Sequence, residues 1–223
     1  MRHFSISFIV LIFLLTTGLY FQSHNSVLAA QYKGGIEYSI PIDYSKFSVP
    51  ELEEKAKKYF YLAEQYPKGS LNENITLALN LYTILQNIDK ENISYCLKLG
   101  KLYEWLGKDK YAKGNYARAI SINEKNPEPY LYFGNYYYEK QLYRKALKYY
   151  GKSYSSGYEN NYDVLYKLGD IFLKLGDTRA ALKYLKLAEA QNPNEELSHK
   201  IQKVEAADSV NRVYNLNTRI HTP

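Results

Sequence analysis

Cysteine is nearly missing from this chain: Cys96 is the only one in 223 residues. That excludes an intramolecular disulfide, a paired-cysteine redox motif and a thiolate metal cluster, so stability has to come from packing. Histidine is almost as scarce, and beyond the first thirty residues only His199 and His221 remain. No glycine-rich phosphate loop, no Gly-x-Ser-x-Gly elbow and no pair of His or Cys at ligand spacing occurs. The adjacent acids Glu53 and Glu54 point to different faces of a helix and do not make a catalytic pair. The chain is therefore expected to be no enzyme, with no cofactor, no metal and no small-molecule substrate. Runs of one charge are missing too. The formal net charge is +6, but Lys and Arg are interleaved with Glu and Asp along the sequence, which argues against nucleic acid.

One long apolar run is present. After Arg2 and His3, residues 4–21 carry no charge, and Val27-Leu28-Ala29 offers small residues at the spacing of a signal-peptidase site. Residues 1–29 thus read as a signal peptide, or, if uncleaved, as an N-terminal anchor that would bring the chain to a membrane. Their removal takes away one base and no acid, leaving +5. Residues 30–50 have no helical period and carry Gly34, Gly35, Pro41 and Pro50, with loose alternation through Ile36, Tyr38, Ile40 and Ile42 that also suits a short edge strand. They read as an irregular N-terminal segment.

From residue 51 the period is helical. In residues 162–193, Leu165, Leu168, Gly169 and Phe172 stack on one helix face. Gly176 and Asp177 break that helix, Ala181, Leu185 and Ala188 mark a second one, and Asn192-Pro193 stops it. The same unit recurs upstream. Gly100, Gly134 and Gly169 are 34 and 35 residues apart, and Ala78, Ala112, Ala146 and Ala181 are 34, 34 and 35 apart. Tyr59, Leu62, Ala63 and Tyr66 give a degenerate first copy, whose turn holds three extra residues. Around Gly114 the sequence Gly-Asn-Tyr-Ala-Arg-Ala-Ile offers a competing register, rejected because it lengthens one helix by two turns at the other's expense.

Small residues sit where two helices approach most closely and large ones fill the space beside them. Cys96 falls on such an apolar face as a small buried hydrophobe. The repeats span about 56–92, 93–126, 127–161 and 162–195. Leu197, Ile201 and Val204 then give a capping helix over 195–207, followed by a flexible tail over 208–223.

The pattern large-x-x-Leu-Gly-x-x-aromatic, a glycine turn, Ala-x-x-x-large-x-x-Ala and a closing proline resembles the tetratricopeptide repeat, whose period is the same. The resemblance implies an all-α right-handed superhelix of about four helix-turn-helix repeats with a C-terminal capping helix, occupying residues 51–207. It also implies a concave groove lined by the first helices. By that resemblance the groove residues are Phe60 and Glu64; Leu97, Lys101, Glu104 and Trp105; Leu131, Asn135, Tyr138 and Glu139; Tyr166, Asp170, Leu173 and Lys174. Trp105, Tyr138 and Tyr166 would anchor a partner, with Glu104, Glu139 and Asp170 steering a basic or polar segment. Leu131, Tyr166 and Asp163 stand where a carboxylate-gripping member of the family has basic residues, which argues against that mode.

Together these readings imply an exported, non-catalytic adaptor or scaffold in the bacterial cell envelope, periplasmic in the first instance. Its partners would be envelope proteins. Similar small repeat proteins scaffold outer-membrane assembly complexes or the collar around a periplasmic flagellar motor. A secreted or surface-exposed binding domain and a substrate-docking subunit of an envelope enzyme complex stay open as alternatives. So does a homo-oligomer built through Tyr143, Tyr149 and Tyr154.

Overall fold

The computed structural model describes residues 44–65 and 73–220. The expected signal segment, most of the expected irregular segment with its alternating residues, Tyr66 and His221 lie outside the described residues. A 3-10 turn at Tyr44–Lys46 precedes nine α-helices: α1 (Val49–Gln65), α2 (Glu73–Ile88), α3 (Ile93–Trp105), α4 (Asp109–Ile122), α5 (Pro127–Glu139), α6 (Tyr143–Ser155), α7 (Tyr162–Lys174), α8 (Thr178–Gln191) and α9 (Glu195–Ile220). There is no strand among the described residues.

The helices pack as four antiparallel pairs, α1 with α2 through α7 with α8, and each pair leans on the next. The second helices of the later pairs each bury one short stripe: Ala112, Tyr116 and Ala119 in α4, Ala146, Tyr150 and Ser153 in α6, Ala181, Leu185 and Ala188 in α8. The first helices supply the matching small residue. A Cβ placed on Gly134 would come within 3.1 Å of the Tyr150 ring, and one placed on Gly169 within 2.7 Å of Leu185. Glycine is required there because the partner occupies the volume that a side chain would need. Nothing lies within 4 Å of a Cβ on Gly114, so the competing register is the wrong one.

Leu62 departs from expectation. It is 36% exposed, and the core of the first pair is built from Leu52, Ala56, Phe60 and Ala63 instead. The equivalent leucines show why: Leu99 packs into the core of the pair before its own, and Leu168 packs on Ala146 and Tyr150 of α6. The described residues hold no pair before α1.

Both ends of the repeat array also differ from the sequence reading. Helix α1 starts at Val49, inside the segment expected to be irregular, because Glu51 makes the return half of a capping box: the Ser48 amide and hydroxyl each donate to Glu51 Oε2 at 2.7 Å. Helix α9 runs to Ile220, through most of the expected tail. Its first turns do cap the array, with Leu197 and Ile201 closing over Leu165, Leu185 and Ala188.

Asparagine opens the first helix of each later pair, and α9 as well. Asn92, Asn126, Asn161 and Asn194 accept from the amides of Tyr95, Glu128, Val164 and Leu197, which satisfies donors that the helix leaves orphaned.

The first helices of the later pairs close with the two backbone bonds of a Schellman motif. In α3 these run from Gly107 N to Glu104 O and from Lys108 N to Tyr103 O, and in α7 from Gly176 N to Leu173 O and from Asp177 N to Phe172 O. Gly107 and Gly176 take φ of +67° and +82° there. In α5 the same position is Gln141 at φ +57°, where an L side chain is strained. Gln141→Gly is expected to raise stability by about 0.5–1 kcal/mol, relief of strain outweighing the glycine's added unfolded-state entropy. Urea unfolding checks this, and an unchanged midpoint would contradict it.

Candidate functional site

The first helices stand side by side, with α3 touching α5, and their shared face carries the residues expected to line a groove. The structure divides these into three kinds.

Phe60 and Leu97 are not groove residues. They are 6% and 1% exposed and belong to the cores of the first and second pairs. The Phe60 ring packs tilted against Trp105 with centroids 5.1 Å apart, and the Lys98 ammonium lies 4.2 Å from the Phe60 centroid. Helical spacing places a residue on a face but does not say how deeply the neighbouring repeat covers it.

Glu104, Asn135 and Asp170 lie on the face but are engaged by their own chain. Glu104 accepts from the Tyr116 hydroxyl at 3.0 Å and from Lys101 at 3.0 Å. Asn135 accepts from the Tyr150 hydroxyl. Asp170, 8% exposed, accepts from the Tyr138 hydroxyl at 2.6 Å and from Lys200 of α9 at 2.7 Å. Each polar side chain thus satisfies a group that burial would otherwise leave costly. Burial and the Glu104 charge push the Tyr116 hydroxyl well above the ordinary tyrosine range, and burial with the Asp170 bond does the same for Tyr138. Burial pushes the Asp170 carboxyl up, but the hydrogen bonds from Lys200 and Tyr138 outweigh it and hold the group below the usual carboxylate range. Steering by Glu104 and Asp170 is therefore replaced by a structural role.

What remains is open. Glu64, Glu139 and Lys174 are exposed, and Lys101, Trp105, Leu131, Tyr138, Tyr166 and Leu173 are half-buried. The aromatic members are held in place. Lys167 sits 3.8 Å from the Tyr138 ring centroid and Lys200 4.5 Å from that of Tyr166. Tyr166 stacks on Tyr162 at 6.0 Å. Beside them an open cleft runs between α7 and α9, lined by Tyr162, Tyr166, Asn194, His199, Lys200 and Lys203. Spacing missed this cleft, because α9 was read only as a cover.

Other expectations concern residues off this face. Tyr143, Tyr149 and Tyr154, expected as exposed rings, are half-buried and packed on the cores, Tyr149 at 4.3 Å from the Phe133 ring. Cys96 is fully buried, with Gln86 donating to its sulfur at 2.9 Å, and burial raises its thiol pKa. Glu53 bonds the Tyr95 hydroxyl while Glu54 faces solvent. Among the described residues no group of His, Cys, Asp or Glu is placed to hold a metal ion, and no helix is long and apolar enough to cross a membrane.

No family model matches the chain. Over 103 residues, 46% of its length, it is 31% identical to a TPR repeat-containing protein of Methanocaldococcus jannaschii, and it spans 18% of that protein. Among solved structures, a crystal structure of MamA superposes with a TM-score of 0.54 at 18% identity, covering 61% of this chain and 80% of that one. Pseudomonas aeruginosa pilF gives 0.58 at 17% identity, covering 78% and 79%. These structural likenesses bear on the fold alone. Its paired helices, its small-residue contacts repeating at 34 and 35 residues and these likenesses give the chain an all-α solenoid fold of the tetratricopeptide-repeat type.

Proposed function

We propose that this protein is a non-catalytic scaffold of the bacterial cell envelope, working in the periplasm and holding a partner polypeptide along the first-helix face of α3, α5 and α7. The observation that carries the reading is the row of half-buried rings, Trp105, Tyr138 and Tyr166, each fixed by a neighbour before any partner arrives. Rings already immobilised lose little entropy on binding, and large aromatics dominate interface energies. Glu64, Glu139 and Lys174, exposed beside them, supply a polar rim. Residues 1–29, with their apolar run, support the setting, and assembly of a larger complex such as a periplasmic flagellar collar fits it.

Two measurements test the proposal. A periplasm-dependent reporter fused after residue 223 is expected to be active and retained by cells. Recovery in the culture medium would favour a secreted binding domain. Affinity capture from envelope fractions is expected to enrich a polypeptide that Trp105→Ala/Tyr166→Ala loses while keeping its helical circular dichroism. Retention of that polypeptide by the folded variant would refute the groove.

A further inference from the structure

The fold sorts charges that the sequence interleaves. The first helices α3, α5 and α7 together carry four basic and five acidic residues, whereas the second helices α4, α6 and α8 carry ten basic and two acidic, and α6 has no acid at all. These cations recur at repeat positions. Lys110, Arg144 and Arg179 are 34 and 35 residues apart, Arg118 and Lys152 are 34 apart, and Lys148 and Lys183 are 35 apart. All seven are exposed, on the side of each helix away from its buried stripe. Because successive pairs repeat the same packing, equal positions fall in rows, so the outer layer presents parallel rows of cations. Two of them are tied locally: Arg118 donates to the Lys90 carbonyl, and Lys183 lies 5.3 Å from the centroid of the Tyr184 ring.

We infer that this second-helix face of α4, α6 and α8 binds a membrane surface rich in anionic phospholipid. A folded acidic protein would have to present carboxylates in matching rows, whereas an anionic bilayer offers charge at every spacing, and each Lys or Arg close to it adds about 1 kcal/mol. Tyr111, 57% exposed beside Lys110, and Leu187, 37% exposed and one repeat beyond Lys152, put an aromatic and an apolar group among the cations, as suits an interfacial surface. The apolar run at residues 4–21, where it is kept as an N-terminal anchor, would hold the chain at a membrane. To that extent the inference rests on the envelope setting proposed above, but it concerns the opposite face from the groove.

The test is lysine acetylation footprinting of the full chain mixed with vesicles of phosphatidylcholine alone or of phosphatidylcholine with phosphatidylglycerol. Lys110, Lys148 and Lys183 are expected to react severalfold more slowly in the anionic vesicles. Lys58 and Lys174, exposed elsewhere, serve as unchanged references. Added salt should abolish the difference, since it shortens the reach of the charges, and Arg144→Gln/Lys148→Gln/Lys152→Gln should weaken protection at Lys110 and Lys183. Equal rates in the two vesicle types would overturn the inference. So would protection by soluble polyglutamate or duplex DNA with none by vesicles. The readout needs neither the groove partner nor export in the cell, so failure of the groove assignment leaves it intact and the two failures are distinguishable.

Discussion

Gly100→Ala is expected to destabilise the protein by about 2–3 kcal/mol, the upper part of the range of about 1–3 kcal/mol for overpacked cores. A Cβ at Gly100 would lie 2.7 Å from Tyr116 Cδ1 and 2.9 Å from Cζ, and closer still to Cε1. Retreat is blocked. The ring is fully buried among Tyr132, Phe133 and Tyr136, and its hydroxyl is bonded to Glu104. The clash must overcome alanine's own advantage in a helix, about 0.8–1 kcal/mol over glycine. At Gly114, where nothing lies within 4 Å, that advantage stands alone, and Gly114→Ala is expected to stabilise by about that amount. The two urea curves should therefore move in opposite directions. Gly169→Leu should be worse than either, because its Cβ would already meet the Leu185 backbone nitrogen at 3.1 Å.

The second large effect is expected at the junction of α5, α7 and α9. Asp170→Ala removes the acceptor for both Tyr138 and Lys200. The Lys200 side chain is 27% exposed and the Asp170 side chain 12%, so the cost is set below that of a fully buried broken pair, at about 1–3 kcal/mol. Lys200→Met should cost less than Asp170→Ala, because it leaves Tyr138 bonded. Their double mutant should be more stable than the sum of the two losses predicts.

The pH dependence has two limbs. The Asp170 pKa is lowered in the folded state, so its contribution is present above the ordinary carboxylate range of about 3.9 and is lost as pH falls below it. The Lys200 pKa is raised, burial being outweighed by its bonds to Asp170 and Tyr166. Its contribution is therefore present below about pH 10.4 and lost as pH rises past it. Asp170→Asn should flatten the acid limb.

The fold was legible because size is written into the sequence at the repeat period: glycine or alanine opposite tyrosine or leucine, four times over. Local chemistry was legible as well but went unread. Ser48-x-x-Glu51 is a capping-box sequence that places the start of α1, and the asparagines at 92, 126, 161 and 194 follow nearly the same period as the glycines. The groove was only partly legible. Its residues share a face by helical spacing, yet whether Phe60 or Leu97 reaches solvent depends on the next repeat's side chains, which lie more than thirty residues away in sequence. Glu104 and Asp170 were read as free charges for the same reason, their tyrosine partners being on other helices. The basic outer face was hidden most completely. First helices with a near balance of charge alternate with basic second helices, so linear order shows interleaving where the solenoid shows two differently charged layers.

Photo-crosslinking along the first-helix face tests the central functional claim most directly. A photoreactive residue is placed in turn at Glu64, Lys101, Glu139 and Lys174, and off the row at Lys58 and Glu159, in cells of the native organism. The account predicts adducts to a polypeptide from the row positions, strongest near Trp105 and Tyr166, and little from the two off-row positions. Absence of adducts along the row, or equal yields from Lys58 and Glu159, would contradict it.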